Sequence, residues 1–160
     1  MPKKKLRPLM TYIYDTREKR VYDLKLPDSR LFDDGGFYEM KLGEGDISVE
    51  IDCKRIDIYV ERKQLGDFVN CCGRNRETFE AELARLSAHR FAHVIIEAPF
   101  ALIRRSYPNS WVPWLSVYNS IACWATQFPT VHFWPVTNRS EGQIWAWQLI
   151  HEACKHGRSI

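Results

Sequence analysis

The sequence predicts an α/β protein organised around a layered sheet, and three observations carry that expectation. Strand-like and helix-like segments alternate through the second half of the chain, the pattern of proteins that cover a sheet with helices. Residues 46–51 and 56–63 alternate apolar and polar side chains with the period of two that a half-buried strand shows. Residues 93–98, His-Val-Ile-Ile-Glu-Ala, are almost continuously apolar, as in a central strand buried on both faces.

The elements follow in chain order. Residues 1–10 form an arm whose Lys3-Lys4-Lys5-Leu6-Arg7 run suits either phosphate contact or a solvated tail. Residues 11–15, Thr-Tyr-Ile-Tyr-Asp, read as a first strand ending on an acid. The charged stretch to Gly36, with Pro27, Asp33-Asp34 and Gly35-Gly36, reads as a long connection. Residues 37–42 and 45–51 read as two strands joined by a Gly43-Glu44-Gly45 turn. The second sets Ile47, Val49 and Ile51 against Asp46, Ser48 and Glu50. Across 56–63, Ile56, Ile58 and Val60 take one face and Tyr59, Glu61 and Lys63 the other.

Beyond Lys63 the period changes. Asp67 lies near the start of a short helix, where an acid also serves as an N-cap. From 76 to 90, Phe79, Leu83 and Leu86 have helical spacing, with Ala81, Ala84 and Ala88 adding propensity. Pro99 ends the apolar strand, 100–113 reads as irregular, and 114–127 as a helix. A short strand over 130–135 and a helix over 140–154, capped by Ser140, complete the pattern. No repeat or linker interrupts residues 11–160, which are therefore expected to form one domain.

Composition narrows the function. A 45% hydrophobic and 13% aromatic content specifies a packed globule rather than a disordered chain, and 160 residues suffice for a core without staples. A formal charge of +3 is compatible with nucleic acid without requiring it. The five cysteines, Cys53, Cys71, Cys72, Cys123 and Cys154, are odd in number and include a vicinal pair. With no secretory segment, they point to reduced thiols and an intracellular setting, cytoplasmic for a bacterial or phage protein and nuclear for a eukaryotic one. His151, Cys154 and His156 crowd together, but a helix end explains them more simply than zinc. No apolar run reaches the roughly 20 residues of a membrane span.

The chemistry concentrates at the two alternating segments. If they pair as a hairpin, Asp46, Glu61 and Lys63 meet on one surface. Two carboxylates beside an ammonium are what metal-assisted phosphodiester hydrolysis needs. Hard oxygen ligands suit Mg²⁺, which keeps several waters and reaches substrate phosphate, and Lys63 is placed to serve the attacking water or to neutralise developing charge. Taken alone, the same residues also read as a surface hairpin with a Glu–Lys contact worth about 0.2–1 kcal/mol.

The whole pattern goes further. Asp15-Thr16-Arg17-Glu18 after a strand, Gly45-Asp46, Val60-Glu61-Arg62-Lys63 and then Asp67 resemble the XPF-type nuclease domain, whose signature is Gly-Asp, a spacer, Glu-Arg-Lys, three residues and Asp, with an Asp-x-Arg-Glu element upstream. Gly73-Arg74 before a helix, Val94-Ile95-Ile96-Glu97, and Val136-Thr137-Asn138 ahead of the terminal helix extend the similarity over residues 11–155. The resemblance implies a three-layer α/β/α restriction-endonuclease-like core with a central mixed sheet. It implies a divalent-metal endonuclease, using Mg²⁺ or Mn²⁺, that acts on branched or flap DNA. By position, Asp15, Asp46 and Glu61 would surround the metal, Lys63 would serve the water, and Arg62 and Asp67 would buttress the site. Arg17, Arg74 and Arg76 would hold backbone phosphates through guanidinium forks.

Two departures matter. Family members carry tandem helix-hairpin-helix repeats after the nuclease domain, and this chain has none by Ile160, so junction choice is expected to come from a partner or from homo- or heterodimerisation through the nuclease domain. The family's glutamine after Gly-Arg has no clear counterpart, with Thr78 or Glu80 standing near that place. Trp145 and Trp147, two apart on one helix, cannot face the same way. One is a candidate for a dimer interface, with stacking on an unpaired base as the alternative. A catalytically inactive DNA-binding or dimerisation partner is the competing function, and retention of Asp15, Asp46, Glu61 and Lys63 argues for activity. A sequence-specific nuclease ranks below both, since no base-reading element is evident.

Overall fold

The computed structural model of this chain describes residues 6–25 and 30–157; Lys3, Lys4, Lys5 and Pro27 lie outside the described residues. The elements run β1 Leu9–Asp15, β2 Asp33–Met40, β3 Ile47–Ile51, β4 Lys54–Lys63, α1 Leu65–Cys72, α2 Arg76–Leu86, β5 Phe91–Ile96, α3 Phe100–Ile103, α4 Trp114–Gln127, β6 Val131–Pro135 and α5 Arg139–His156. The strands form one sheet in the order β2-β1-β3-β4-β5-β6. It is mixed: β3 runs antiparallel to both β1 and β4, while β1–β2, β4–β5 and β5–β6 are parallel.

Helices cover both faces. On one, Met10, Tyr12, Tyr14, Val49, Ile58 and Val60 pack under Ala146, Ile150 and Cys154 of α5. On the other, Ala92, Val94 and Ile96 pack under α1, α2 and α4, around an edge-to-face trio of Phe68, Phe79 and Trp124. Strand alternation generates both layers, because consecutive residues of β5 serve opposite cores. The result is the three-layer α/β/α arrangement with a central mixed sheet.

The structure corrects several boundaries. Residues 37–42 and 45–51 are not neighbours, because β1 inserts between their strands. Burial explains the order. In β1 Tyr12, Ile13 and Tyr14 are almost wholly buried, so it takes an interior place, whereas β2 is largely exposed and carries two acids and two glycines at its start. Polar, glycine-rich strands suit an edge. The Gly43–Gly45 segment therefore crosses the end of β1 instead of turning a hairpin. β1 also begins at Leu9, with Met10 paired to Ile51, so the last residues of the predicted arm belong to the sheet. Asp33–Gly36, read as connection, start β2. Residues 100–103 form a helical turn within the segment expected to be irregular. The terminal helix is capped by Asn138, which accepts a hydrogen bond from the Glu141 amide at 3.0 Å, two residues earlier than Ser140.

All five cysteines are free thiols. No described helix is long and apolar enough to cross a membrane.

Candidate active site

The ends of β1 and β4 and the start of β3 meet at one point, and backbone bonds stitch them there. The Asp15 amide donates to the Asp46 carbonyl at 2.8 Å, and the Asp46 amide donates to the Val60 carbonyl at 2.9 Å. Gly45 makes the approach possible. Its φ of +67° is the left-handed region that a Cβ disfavours, and a Cβ there would stand 3.3 Å from both the Tyr59 Cβ and the Val60 oxygen. The carboxylates of Asp15, Glu18, Asp46, Glu61 and Glu82 consequently line one cavity of about 220 Å³, with Arg17 on its rim.

Each acid has a distinct environment. Glu61 is 4% exposed and its Oε1 lies 2.5 Å from Lys63 Nζ. Burial, then the nearby Asp46 charge, pushes its carboxyl well above the usual range. Burial likewise lifts Asp46 to about 6, against the Arg62 amide, which donates to its Oδ2 at 2.7 Å. Lys63 is held in the opposite sense: burial would lower its pKa, yet Glu61 and Glu82 keep the ammonium charged above its ordinary value. Its Nζ is 3.7 Å from Glu82 and 5.2 Å from the centre of the Phe79 ring. Two buried acids that resist ionisation beside each other mark a place where added positive charge is favourable.

Asp15 differs. It accepts four hydrogen bonds: from the Arg17 amide, Nε and NH2, and from the Leu42 amide, at 2.7–2.9 Å. Against the burial that would raise it, these bonds hold its carboxyl below the usual range. Arg17 thus grips Asp15 with two nitrogens and also donates to the Leu42 carbonyl. No hydrogen bond to its NH1 occurs among the described residues, and its side chain is 60% exposed.

Arg62 points through the sheet. Its side chain is 7% exposed and reaches Glu97 Oε2 and Glu18 Oε1, both at 3.1 Å. The Tyr22 hydroxyl donates to Glu97 Oε1 at 3.0 Å, and Arg139 lies 3.5 Å from the same oxygen. Arg62 therefore supports the site from beneath, through its backbone bond to Asp46 and its hold on Glu18, without lining the cavity. Asp67 is exposed in the first turn of α1 and does not line the cavity either. Arg76 is spoken for: it pairs with Glu80 at 2.8 Å, donates to Ser120 Oγ at 2.8 Å and lies 5.0 Å from the Trp124 ring centre, clasping α2 to α4. Arg74 is exposed. Trp145, 36% exposed, stacks on Trp134 of the edge strand β6 at 4.8 Å, whereas Trp147 turns inward. Of the terminal trio, Cys154 is buried in the core and His151 stacks on Trp147.

Glu82 is the residue that sequence reasoning missed. It sits three residues after Phe79 and four before Leu86, inside the buried stripe of α2, and an acid in an apolar stripe was the available signal. Glu80, weighed instead, accepts from Trp124 Nε1 at 2.9 Å. Glu18 and Glu97 also belong to the site's support, although only the motif containing Glu18 and the strand containing Glu97 were singled out.

The donor set can be tested against a divalent ion. Among the described residues no three acidic, histidine or cysteine side chains converge tightly enough to hold an ion as they stand. Asp46 and Glu61 fit one chemically, being hard, buried and charge-frustrated, and Glu18 and Glu82 line the same cavity. Asp15 fits less well, since Arg17 and Leu42 already occupy its oxygens.

No protein-family model matches the chain, and no curated protein does. Solved structures do. XPF from Aeropyrum pernix in complex with DNA superposes with a TM-score of 0.63 at 21% identity, over 93% of this chain and 66% of that one. XPF from Aeropyrum pernix alone gives 0.64 at 19% identity, over 89% and 61%. This chain thus spans somewhat less than two thirds of theirs, and the likeness establishes its fold: that of the XPF-type nuclease, a restriction-endonuclease-like α/β core.

Proposed function

We propose that this chain is a divalent-metal-dependent endonuclease hydrolysing phosphodiester bonds in DNA, at branched or flap structures. The observation that carries the reading is the pair of buried, mutually repelling carboxylates, Asp46 and Glu61, lining one open cavity, with the charged Lys63 held against Glu61. Asp46 and Glu61, with Glu18 or Glu82 at hand and Asp15 behind them, would hold the ion. Mg²⁺ or Mn²⁺ bound there would polarise the scissile phosphate and lower the pKa of a coordinated water.

The chain's own groups supply the rest. Lys63, fixed by Glu61 and Glu82, presents a cation to the attacking water and to charge developing on phosphate oxygens. Arg17 offers its free NH1 edge to a backbone phosphate while its other nitrogens stay on Asp15. Water attack on phosphorus with cleavage of the P–O3′ bond would leave a 5′-phosphate and release the 3′-hydroxyl. Trp145, exposed and stacked on the half-buried Trp134 of the edge strand β6, suits a dimer contact.

A second reading has two observations in its favour. Asp15 is locked by Arg17 and no three ligands converge among the described residues, as expected of a nuclease fold kept as a DNA-binding or dimerisation partner. Cleavage of labelled flap, fork, duplex and single-stranded DNA in Mg²⁺, Mn²⁺ or EDTA, beside Asp46→Asn and Glu61→Gln, separates the two. Metal-dependent cutting near a junction that both variants abolish, with DNA binding kept, is the expected result. Binding without cutting on every substrate favours the partner role, and undiminished cutting by the variants removes the site.

A further inference from the structure

We propose that a groove along α1, separate from the carboxylate cavity, binds an unpaired strand of DNA by stacking its bases. The groove has a volume of about 680 Å³ and is lined by Asn70, Arg74, Asn109, Ser110, Trp111 and Ser116, among others. Trp111 is fully exposed, and a bare indole on a folded surface is an uncovered stacking face. A second depression of about 290 Å³ continues it, adding Tyr107, Leu65 and Val69 and sharing Asn70, Asn109 and Ser110.

The chemistry of the lining selects the occupant. The exposed Trp111 ring offers a face for a base, with the half-buried Tyr107 beside it in the second depression, Asn and Ser side chains offer donors and acceptors for base edges, and Arg74 offers a phosphate contact. No Asp or Glu lines either depression, in contrast to the five carboxylates of the cavity. Arg104, 5.4 Å from the ring centre of Trp114 at the head of α4, adds positive charge beside the groove. A paired base has its faces covered by its neighbours, so the indole selects an unstacked strand.

The platform is built in advance. The segment carrying Trp111 rests on the α1–α2 turn, where a Cβ on Gly73 would stand 2.8 Å from Val112 Cγ2. Tyr107 donates its hydroxyl to the Ile103 carbonyl, and the Val112 amide donates to Ser110 Oγ at 3.2 Å. Leu65, at the groove's near end, is two residues from Lys63, which contacts the cavity residues Glu61 and Glu82, and the eight-residue α1 spans about 12 Å. The proposal deepens the nuclease reading by giving the unpaired arm of a branched substrate its path, and rests on that reading for the choice of DNA.

The test is fluorescence anisotropy of a short labelled oligodeoxythymidine and of a matched duplex, with the whole chain in EDTA so that nothing is cut. Trp111→Ala is expected to weaken single-strand binding about tenfold or more, with duplex binding and melting temperature unchanged. Trp111→Phe should keep most of the affinity. Arg74→Ala should lower the salt dependence by about one phosphate contact. No measurable single-strand binding, or equal binding by wild type and Trp111→Ala, overturns the groove, as does an equal loss on both DNAs. The cleavage assay is independent: Trp111-dependent binding without metal-dependent cutting removes only the enzyme, and cutting without Trp111 dependence removes only the groove.

Discussion

Replacing Arg62 by alanine is expected to cost about 2–3 kcal/mol of folding stability while leaving the chemistry largely intact. The guanidinium is 7% exposed and bridges Glu97, 7% exposed, and Glu18, 13% exposed, at 3.1 Å each. Removing one partner from a buried ion pair strands the other, at about 3–5 kcal/mol. Three features pull the figure to the low end. Glu97 keeps the Tyr22 hydroxyl and Arg139, and Glu18 opens onto the cavity. Arg62 Nε is itself buried without a hydrogen bond, a cost that the substitution removes. For a domain of this size the melting temperature should fall by roughly 5–10 °C, followed by circular dichroism and by urea unfolding. Arg62→Lys should not restore it, because an ammonium cannot fork between two carboxylates. The bond to Asp46 comes from the Arg62 backbone and survives, so turnover well below the melting point should remain within about tenfold of wild type. A stability change below about 0.5 kcal/mol, or lost turnover in a fully folded variant, would refute the assignment of Arg62 as a buried clasp.

The raised pKa of Asp46 gives a pH signature. A carboxyl near 6 when folded and near 3.8 when unfolded binds more protons in the native state, so its contribution is whole below about pH 4 and lost as pH rises through about 6, amounting to about 3 kcal/mol at most. In EDTA, Asp46→Asn should flatten the fall of melting temperature across that window, and Mg²⁺ should raise the neutral-pH melting temperature of wild type but not of the variant; superimposable curves would contradict both. Gly45→Ala forces a side chain into a left-handed backbone against Tyr59 and Val60, and should cost about 1–2 kcal/mol together with cleavage. A variant with unchanged melting temperature and turnover would show that Asp46 needs no such approach.

Much of this was legible before any coordinates. The period of two placed Glu61 and Lys63 on the same face of β4, and the Arg62 side chain on the other, because strand alternation is local and strict. The continuous apolar run gave the central β5. Sheet order was not legible: nothing within residues 37–51 announces that β1 lies between two consecutive strands, since that follows from the relative burial of three segments far apart in sequence. Asp15 was placed at the end of β1, but not its capture by Arg17, which depends on where the Leu42 amide falls. Arg76 has a local partner in Glu80, but the two contacts that clasp it to α4, Ser120 and Trp124, lie more than 40 residues away and are invisible in the local sequence. Glu82 was hidden by its helix, whose apolar stripe attracts notice as core rather than as a carrier of an acid.

Glu18 belongs to two clusters at once, lining the cavity with one face and holding Arg62 with its Oε1. A group shared in this way ties their free energies together. Whatever cation draws on Glu18 from above loosens its grip on the guanidinium below, and by reciprocity any change that tightens the Arg62–Glu97–Tyr22 cluster alters the affinity above by the same factor. An ion held on one side of the sheet would thus be readable on the other, at the packing of Tyr22 against Arg62 and Arg139, although neither Tyr22 nor Arg139 lines the cavity.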